Sequence, residues 1–131
     1  MNITVIIEKG SDGYYSCYSV EELPHFALSG FGDTVAEAKE DFYACYEDMK
    51  ELEAEAGRTA PDLHFTFKYD MASFFSYFSF LNISKVAERA GINPSLMRQY
   101  VSGAAKAGEK QYERLRVAVQ SFSAELSAAT F

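Results

Sequence analysis

The stretch of sequence that decides the fold of the second half is ISKVAERAGINPSLMRQYVS, residues 83–102. Its first part suits a short helix over residues 83–90, which Gly91 then breaks. A second helix is predicted to start at Asn93-Pro94, because Asn is a good N-cap and Pro is favoured at the first helical position. The stretch therefore predicts two short helices joined by a tight glycine turn.

The spacing inside this stretch is typical of a repressor-type helix-turn-helix. Counted from Ile83, Ala87 is fifth, Gly91 ninth, Ile92 tenth and Met97 fifteenth. A small residue lets the two helices approach, and glycine adopts a left-handed backbone conformation without a Cβ penalty. The alternative interpretation is a small helical bundle, used for dimerisation, in which the glycine only makes a turn.

The exposed side chains of this segment suit contacts with DNA. Arginine can bridge O6 and N7 of guanine, and glutamine can pair with N6 and N7 of adenine. Serine, asparagine and the cations suit phosphate contacts. We expect Arg98 and Gln99 to recognise bases, while the remaining candidates contact the phosphate backbone of the DNA. The candidate DNA-binding residues are Lys85, Arg89, Asn93, Ser95, Arg98, Gln99, Ser102 and Lys106.

The charge of the chain changes sign between its halves. The 131 residues include 12 Lys+Arg and 19 Asp+Glu, a net charge of −7, which argues against a general nucleic-acid coat protein. Residues 1–70 hold 5 basic and 15 acidic side chains, whereas residues 71–131 hold 7 basic and 4 acidic ones. The split predicts two functions: the acidic half binds a protein partner, and the mildly basic half binds DNA.

The first half is predicted to have the order β-β-β-α-β. A turn-forming cluster, Lys9 to Gly13, separates two β-rich runs and predicts a hairpin. Thr34 and Glu37 form a capping-box pattern at the start of a helix that Gly57 ends. The simplest packing is a four-stranded sheet with one face covered by this helix. The strands are predicted at residues 3–8, 14–20, 26–31 and 63–69, and the apolar helix face at Val35, Ala38, Phe42, Cys45, Tyr46, Met49, Leu52 and Ala56.

The second half is predicted to be entirely helical. Apolar residues from Met71 to Leu81 fall at helical spacing, and a last helix is expected over about Glu109 to Ala128. The fold class is therefore α+β, with an N-terminal domain over residues 1–70 and an all-α domain over residues 71–131.

The order of several motifs resembles the HicB antitoxin family. A hairpin with an Asp-Gly-Tyr-Tyr turn is followed by a Leu-Pro pair, a Gly-Asp-Thr helix start and an acidic helix. The second half also resembles the C-terminal part of some HicB-like proteins. The residues concerned are Thr4–Lys9, Asp12–Tyr15, Leu23-Pro24, Gly32–Ala38, Ser73–Phe78 and Ala90–Tyr100. Family members commonly follow Leu-Pro with Gly and a small residue, whereas this chain has His25-Phe26-Ala27, a difference that can shift the third strand.

This resemblance implies a fold and a role for each half. Residues 1–70 are expected to form a partial ribonuclease H-like domain that masks a small, basic, RNA-cleaving toxin of the HicA type. Residues 71–131 are expected to form a helix-turn-helix domain that dimerises, or forms a higher homo-oligomer, and represses its own operon at operator DNA. The alternatives left open are a solitary HicB-like regulator and a dimeric interaction module that does not bind DNA.

No catalytic, metal or cofactor site is predicted. A ribonuclease H-like nuclease needs several carboxylates converging on divalent ions, but the acids here fall on the outer faces of a helix. His25 and His64 are isolated, and Cys17 and Cys45 lack metal-binding spacing. The N-terminus does not resemble a signal peptide, and no apolar run approaches the ~20 residues of a membrane span. The chain is expected to be soluble and cytoplasmic.

Overall fold

A computed structural model describes the whole chain, Met1–Phe131. The fold is α+β, with a four-stranded sheet and five helices, and the chain divides into two compact units, Met1–Ser73 and Phe74–Phe131. The elements are β1 (Asn2–Lys9), β2 (Tyr15–Ser19), β3 (Ser29–Gly32), α1 (Val35–Glu55), β4 (His64–Tyr69), α2 (Met71–Tyr77), α3 (Ile83–Ala90), α4 (Pro94–Ser102) and α5 (Glu109–Ala128).

The sheet has the strand order β3-β2-β1-β4. Strand β2 pairs antiparallel with both β1 and β3. Strand β4 lies parallel to β1 on its other side, with Ile3 opposite Phe65. Alternate residues of β1 are buried beneath α1, among them Val5 and Ile7. The β-β-β-α-β order and the single helix-covered face are therefore confirmed.

Strand β3 begins later than predicted. The sequence predicts a strand over residues 26–31, whereas only Ser29–Gly32 pairs with β2. The reason is the length of β2. In the observed register Tyr18 lies opposite Ser29, and β2 ends at Ser19, so residues 26 and 27 have no strand beside them. Within β3, glycine at position 30 allows a close approach to α1, because a Cβ atom built there would lie 2.4 Å from the backbone nitrogen of Phe42. The preceding Leu28 is buried, and its carbonyl accepts a hydrogen bond from the Ser19 N–H at 3.2 Å.

Helix α1 begins with the predicted cap. The side chain of Thr34 accepts a hydrogen bond from the Glu37 N–H at 3.1 Å, and the Glu37 carboxylate accepts one from the Asp33 N–H at 2.9 Å. The reciprocal bond thus reaches one residue beyond the Thr34 N–H of a standard capping box. Two exposed backbone donors at the helix start are satisfied in this way.

The last turns of α1 bury a different side chain from the one predicted. The helical spacing predicts that Leu52 faces the sheet, but its side chain is 63% exposed. Glu53 is buried instead, and its carboxylate accepts hydrogen bonds from Arg58 at 2.8 and 3.1 Å. Positions 52 and 53 follow Met49 at i+3 and i+4, so both fit a helical stripe and only the packing decides between them. Ala56, also placed on the apolar face, is exposed, and Cys45 is partly buried.

The helices of the second half match the predicted positions, with one exception. The apolar spacing up to Leu81 predicts a longer α2, which ends at Tyr77. Asn82 is extended, with φ −80° and ψ 113°, because it caps α3. The chain must therefore leave the helical conformation before this residue. No helix of the protein is long and apolar enough to cross a membrane.

Candidate nucleic-acid interface

The turn between α3 and α4 is built around Gly91. This glycine has φ +69°, in the left-handed region. Its N–H bonds to the carbonyl of Glu88 at 3.2 Å, and the N–H of Ile92 bonds to the carbonyl of Ala87 at 2.9 Å. These two bonds form a Schellman motif, which satisfies carbonyls at the end of α3 and turns the chain sharply. From α5, Arg114 Nη1 donates to the Gly91 carbonyl at 3.4 Å.

The inner side of α3 and α4 is closed by small and apolar residues. Ala87 and Met97 are fully buried, and Val86 and Ile92 are almost so. Helix α3 packs against both α4 and α5. Because interiors are closely packed, a small side chain at the buried position 87 suits the close packing of α3 against its neighbours. The residues at the fifth, tenth and fifteenth positions of the motif, Ala87, Ile92 and Met97, are therefore all buried.

Asn93 is the N-cap of α4. Its Oδ1 atom accepts hydrogen bonds from the backbone N–H groups of Ser95, at 2.9 Å, and Leu96, at 3.2 Å. Pro94 occupies the first helical position, as predicted. Because its side-chain oxygen accepts these capping bonds, Asn93 can contact DNA only as a donor, through its amide N–H groups.

One exposed stripe runs along α4. Ser95, Arg98, Gln99 and Ser102 are all exposed and follow one another at i, i+3, i+4 and i+7. This spacing places them on one face of the helix, opposite the buried Met97. Ser102 Oγ donates to the Gln99 carbonyl at 3.2 Å. We call these four residues the α4 stripe. The arrangement presents a guanidinium, a carboxamide and two hydroxyls to solvent.

Arg98 is held by a residue that the sequence did not single out. Its Nη1 atom donates a hydrogen bond to Ser84 Oγ, on the first turn of α3, at 2.8 Å. The two residues are 14 positions apart. No local motif marks Ser84, because the contact exists only once the Gly91 turn has folded α4 back beside α3.

The three predicted phosphate-binding cations differ in their surroundings. Lys85 lies 3.8 Å from Glu88 on the exposed side of α3. Arg89 forms an ion pair with Glu125 of α5, and its guanidinium lies 5.8 Å from the centre of the Phe122 ring. Lys106 is exposed in the loop before α5. Arg89 is therefore engaged by α5, whereas Lys106 projects from a loop.

Arg89 lies on the rim of a groove within the second unit. The groove has a volume of about 380 Å³ and is lined by the start of α3 and the end of α5. Phe80 and Leu126, which are 80% and 66% exposed, contribute apolar lining.

No group of three or more His, Cys, Asp or Glu side chains is placed to hold a metal ion. In the sheet, burial raises the pKa of the Cys17 thiol to about 11. A hydrogen bond from the Tyr18 hydroxyl to Glu8, at 2.6 Å, raises the pKa of Tyr18 to about 12. Both groups are therefore protonated at neutral pH.

Comparison of the chain with protein-family models, curated proteins and solved structures finds no match.

Proposed function

We propose that the chain is the antitoxin of a type II toxin–antitoxin system. It masks a HicA-like, RNA-cleaving toxin through its N-terminal unit and represses its own operon through its C-terminal unit. The observation that carries the DNA-binding part is the α4 stripe: Arg98 and Gln99 are exposed side by side on a helix whose opposite face is buried. Arginine can make a bidentate contact to guanine, and glutamine can make one to adenine.

In this proposal residues 83–102 are a helix-turn-helix and α4 enters the major groove. Support comes from the Schellman turn at Gly91 and from the short α3 and α4 packed across Ala87. The net charge of residues 71–131 is only +3, so one copy makes few phosphate contacts. A homodimer, or a higher homo-oligomer, doubles the contacts and matches two half-sites about one DNA turn apart.

The toxin-masking part rests on the motif order that resembles HicB and on the exposed acids of α1. The resemblance implies a partial ribonuclease H-like fold for residues 1–70. The three antiparallel strands, the helix and the parallel β4 follow the β-β-β-α-β order predicted for this half. Seven exposed carboxylates of α1 would complement a basic toxin and speed its association. They are Glu37, Glu40, Asp41, Glu47, Asp48, Glu51 and Glu55.

The DNA-binding part is tested by a gel shift on the DNA upstream of the chain's own gene, at low and at moderate salt. Arg98→Ala is expected to weaken binding by roughly 1–3 kcal/mol if the side chain makes a bidentate base contact. Arg116→Ala is the matched control, because Arg116 loses the same charge but is paired with Glu113 within α5. The absence of any shift by the wild-type chain at low salt would instead favour the dimeric interaction module.

The toxin-masking part is tested with the adjacent reading frame, which we expect to encode a short basic protein. Co-expression of the chain should relieve growth arrest by that protein, and the two should co-purify. Glu40→Lys combined with Glu51→Lys, on one face of α1, should slow association most at low salt. Glu109→Lys, on α5, serves as the control. DNA binding without any such neighbour would favour the solitary regulator.

A further inference from the structure

The hydrogen bond between Ser84 and Arg98 links the two helices that flank the Gly91 turn. Arg98 Nη1 lies 2.8 Å from Ser84 Oγ, and Ser84 is half-buried while Arg98 is exposed. An arginine side chain free in solvent samples many rotamers and loses this freedom when it binds. A partner that holds the guanidinium before binding lowers that entropic cost.

The bond to Ser84 leaves one edge of the Arg98 guanidinium free to donate hydrogen bonds to a base. The group carries five N–H donors in one plane, and Ser84 accepts one from Nη1. The parallel donors on Nε and Nη2 remain available. Two parallel N–H groups match the O6 and N7 acceptors of guanine in the major groove.

The chemistry of the acceptor also matters, because a hydroxyl orients the arginine without neutralising it. Arg89 and Arg116, elsewhere in the same unit, are paired with the carboxylates of Glu125 and Glu113. Arg98 lies on the α4 stripe and is held by an uncharged oxygen. The residue that holds Arg98 therefore does not offset its positive charge, which stays available to attract the acceptors of a base edge.

We propose that Ser84 is a positioning residue that presets the Arg98 guanidinium for recognition of a guanine. This inference rests on the proposed DNA-binding function, and it assigns to α3 a share in sequence selectivity. Ser84 itself touches no base in this scheme. Its removal should therefore change which base is preferred at one position, and leave the number of phosphate contacts unaltered.

The test is selection of sites from a randomised DNA duplex pool by four chains: wild type, Ser84→Ala, Ser84→Thr and Arg98→Ala. The wild type should enrich a guanine at a fixed position of each half-site. Ser84→Ala should reduce that preference by roughly fivefold, the effect of about one hydrogen bond. Ser84→Thr, which keeps the hydroxyl, should restore the preference.

Two further measurements separate positioning from a structural effect. In the Arg98→Ala background, Ser84→Ala should cause no additional loss of affinity, and the salt dependence of binding by Ser84→Ala should equal that of the wild type. The inference is overturned if Ser84→Ala keeps the guanine preference, or if it weakens binding equally in both backgrounds. If the wild type enriches no sequence, the DNA-binding proposal itself fails and the inference fails with it.

Discussion

Gly30 of β3 lies directly against the backbone of Phe42 in α1. A Cβ atom at position 30 would stand 2.4 Å from the Phe42 nitrogen and 2.4 Å from the Ala38 carbonyl oxygen. Both neighbours are main-chain atoms within a 21-residue helix, so neither can move aside alone. Any side chain at position 30 must therefore push the strand away from the helix.

We accordingly expect Gly30→Ala to destabilise the N-terminal unit by roughly 3 kcal/mol, the upper part of the usual range for overpacking. Gly108→Ala is the control for an added methyl group, because a Cβ there would meet no atom within 4 Å. Since Gly108 is the N-cap of α5, where alanine is unfavourable, this control should lose about 1 kcal/mol at most. The measurement is urea unfolding followed by circular dichroism. Equal stability of the two variants would contradict the close packing of β3 on α1.

The ion pair between the buried Glu53 and the exposed Arg58 predicts a pH dependence of stability. Hydrogen bonds from Arg58 hold the pKa of Glu53 below its ordinary value of 4.5. A lowered pKa in the folded state contributes stability that is complete above about pH 4.5 and is lost as the pH falls through the lowered pKa. Glu53→Gln should therefore be less stable than the wild type at pH 7, and the gap should shrink at pH 3.

The control for this prediction is Glu55→Gln, on an exposed position of the same helix. Its stability should follow that of the wild type at both pH values. A gap between wild type and Glu53→Gln that is the same at pH 7 and at pH 3 would show that the ion pair does not set the difference.

The cap at Asn93 predicts a separation of stability from DNA binding. Asn93→Ala removes the acceptor for two backbone N–H groups and should lower stability by about 1 kcal/mol. Asn93→Ser keeps a capping oxygen and should retain both the melting temperature and DNA binding. A loss of DNA affinity by Asn93→Ser without a change in melting temperature would show that the Asn93 amide contacts DNA directly.

The exposed Lys106 predicts a change in salt dependence. If it contacts one phosphate, Lys106→Ala should weaken binding to all sequences alike and reduce the slope of log K against log salt by about 1. Arg89→Ala should have a smaller effect on that slope, because Arg89 is already paired with Glu125. Equal slopes for wild type and Lys106→Ala would remove Lys106 from the interface.

Elements with local signals were predictable. Asn93 marks the start of α4 and Thr34 marks the start of α1, and both caps are formed. The extent of β3 was not predictable, since it depends on where its partner strand β2 ends. Residues 26–31 look like a strand because they are mostly apolar, but β pairing also requires a partner within reach.

The candidate nucleic-acid interface also has features that the sequence predicts and features that it does not. The spacing of Ser95, Arg98, Gln99 and Ser102 predicts one exposed face, because side chains at i, i+3, i+4 and i+7 share a face of any helix. The spacing does not reveal that Arg89 turns to Glu125, on another helix. From charge alone, every Lys and Arg of residues 71–131 is an equally good candidate for a phosphate contact.

The sequence by itself determined the order of strands and helices along the chain, the helix caps, the Gly91 turn and the α4 stripe. Each of these depends on residues within a few positions of one another, where backbone preferences and helical periodicity act. Only the tertiary structure decided that Glu53 rather than Leu52 is buried, and that Ser84 holds Arg98. These outcomes depend on contacts between separate elements, and such contacts exist only after the chain has packed.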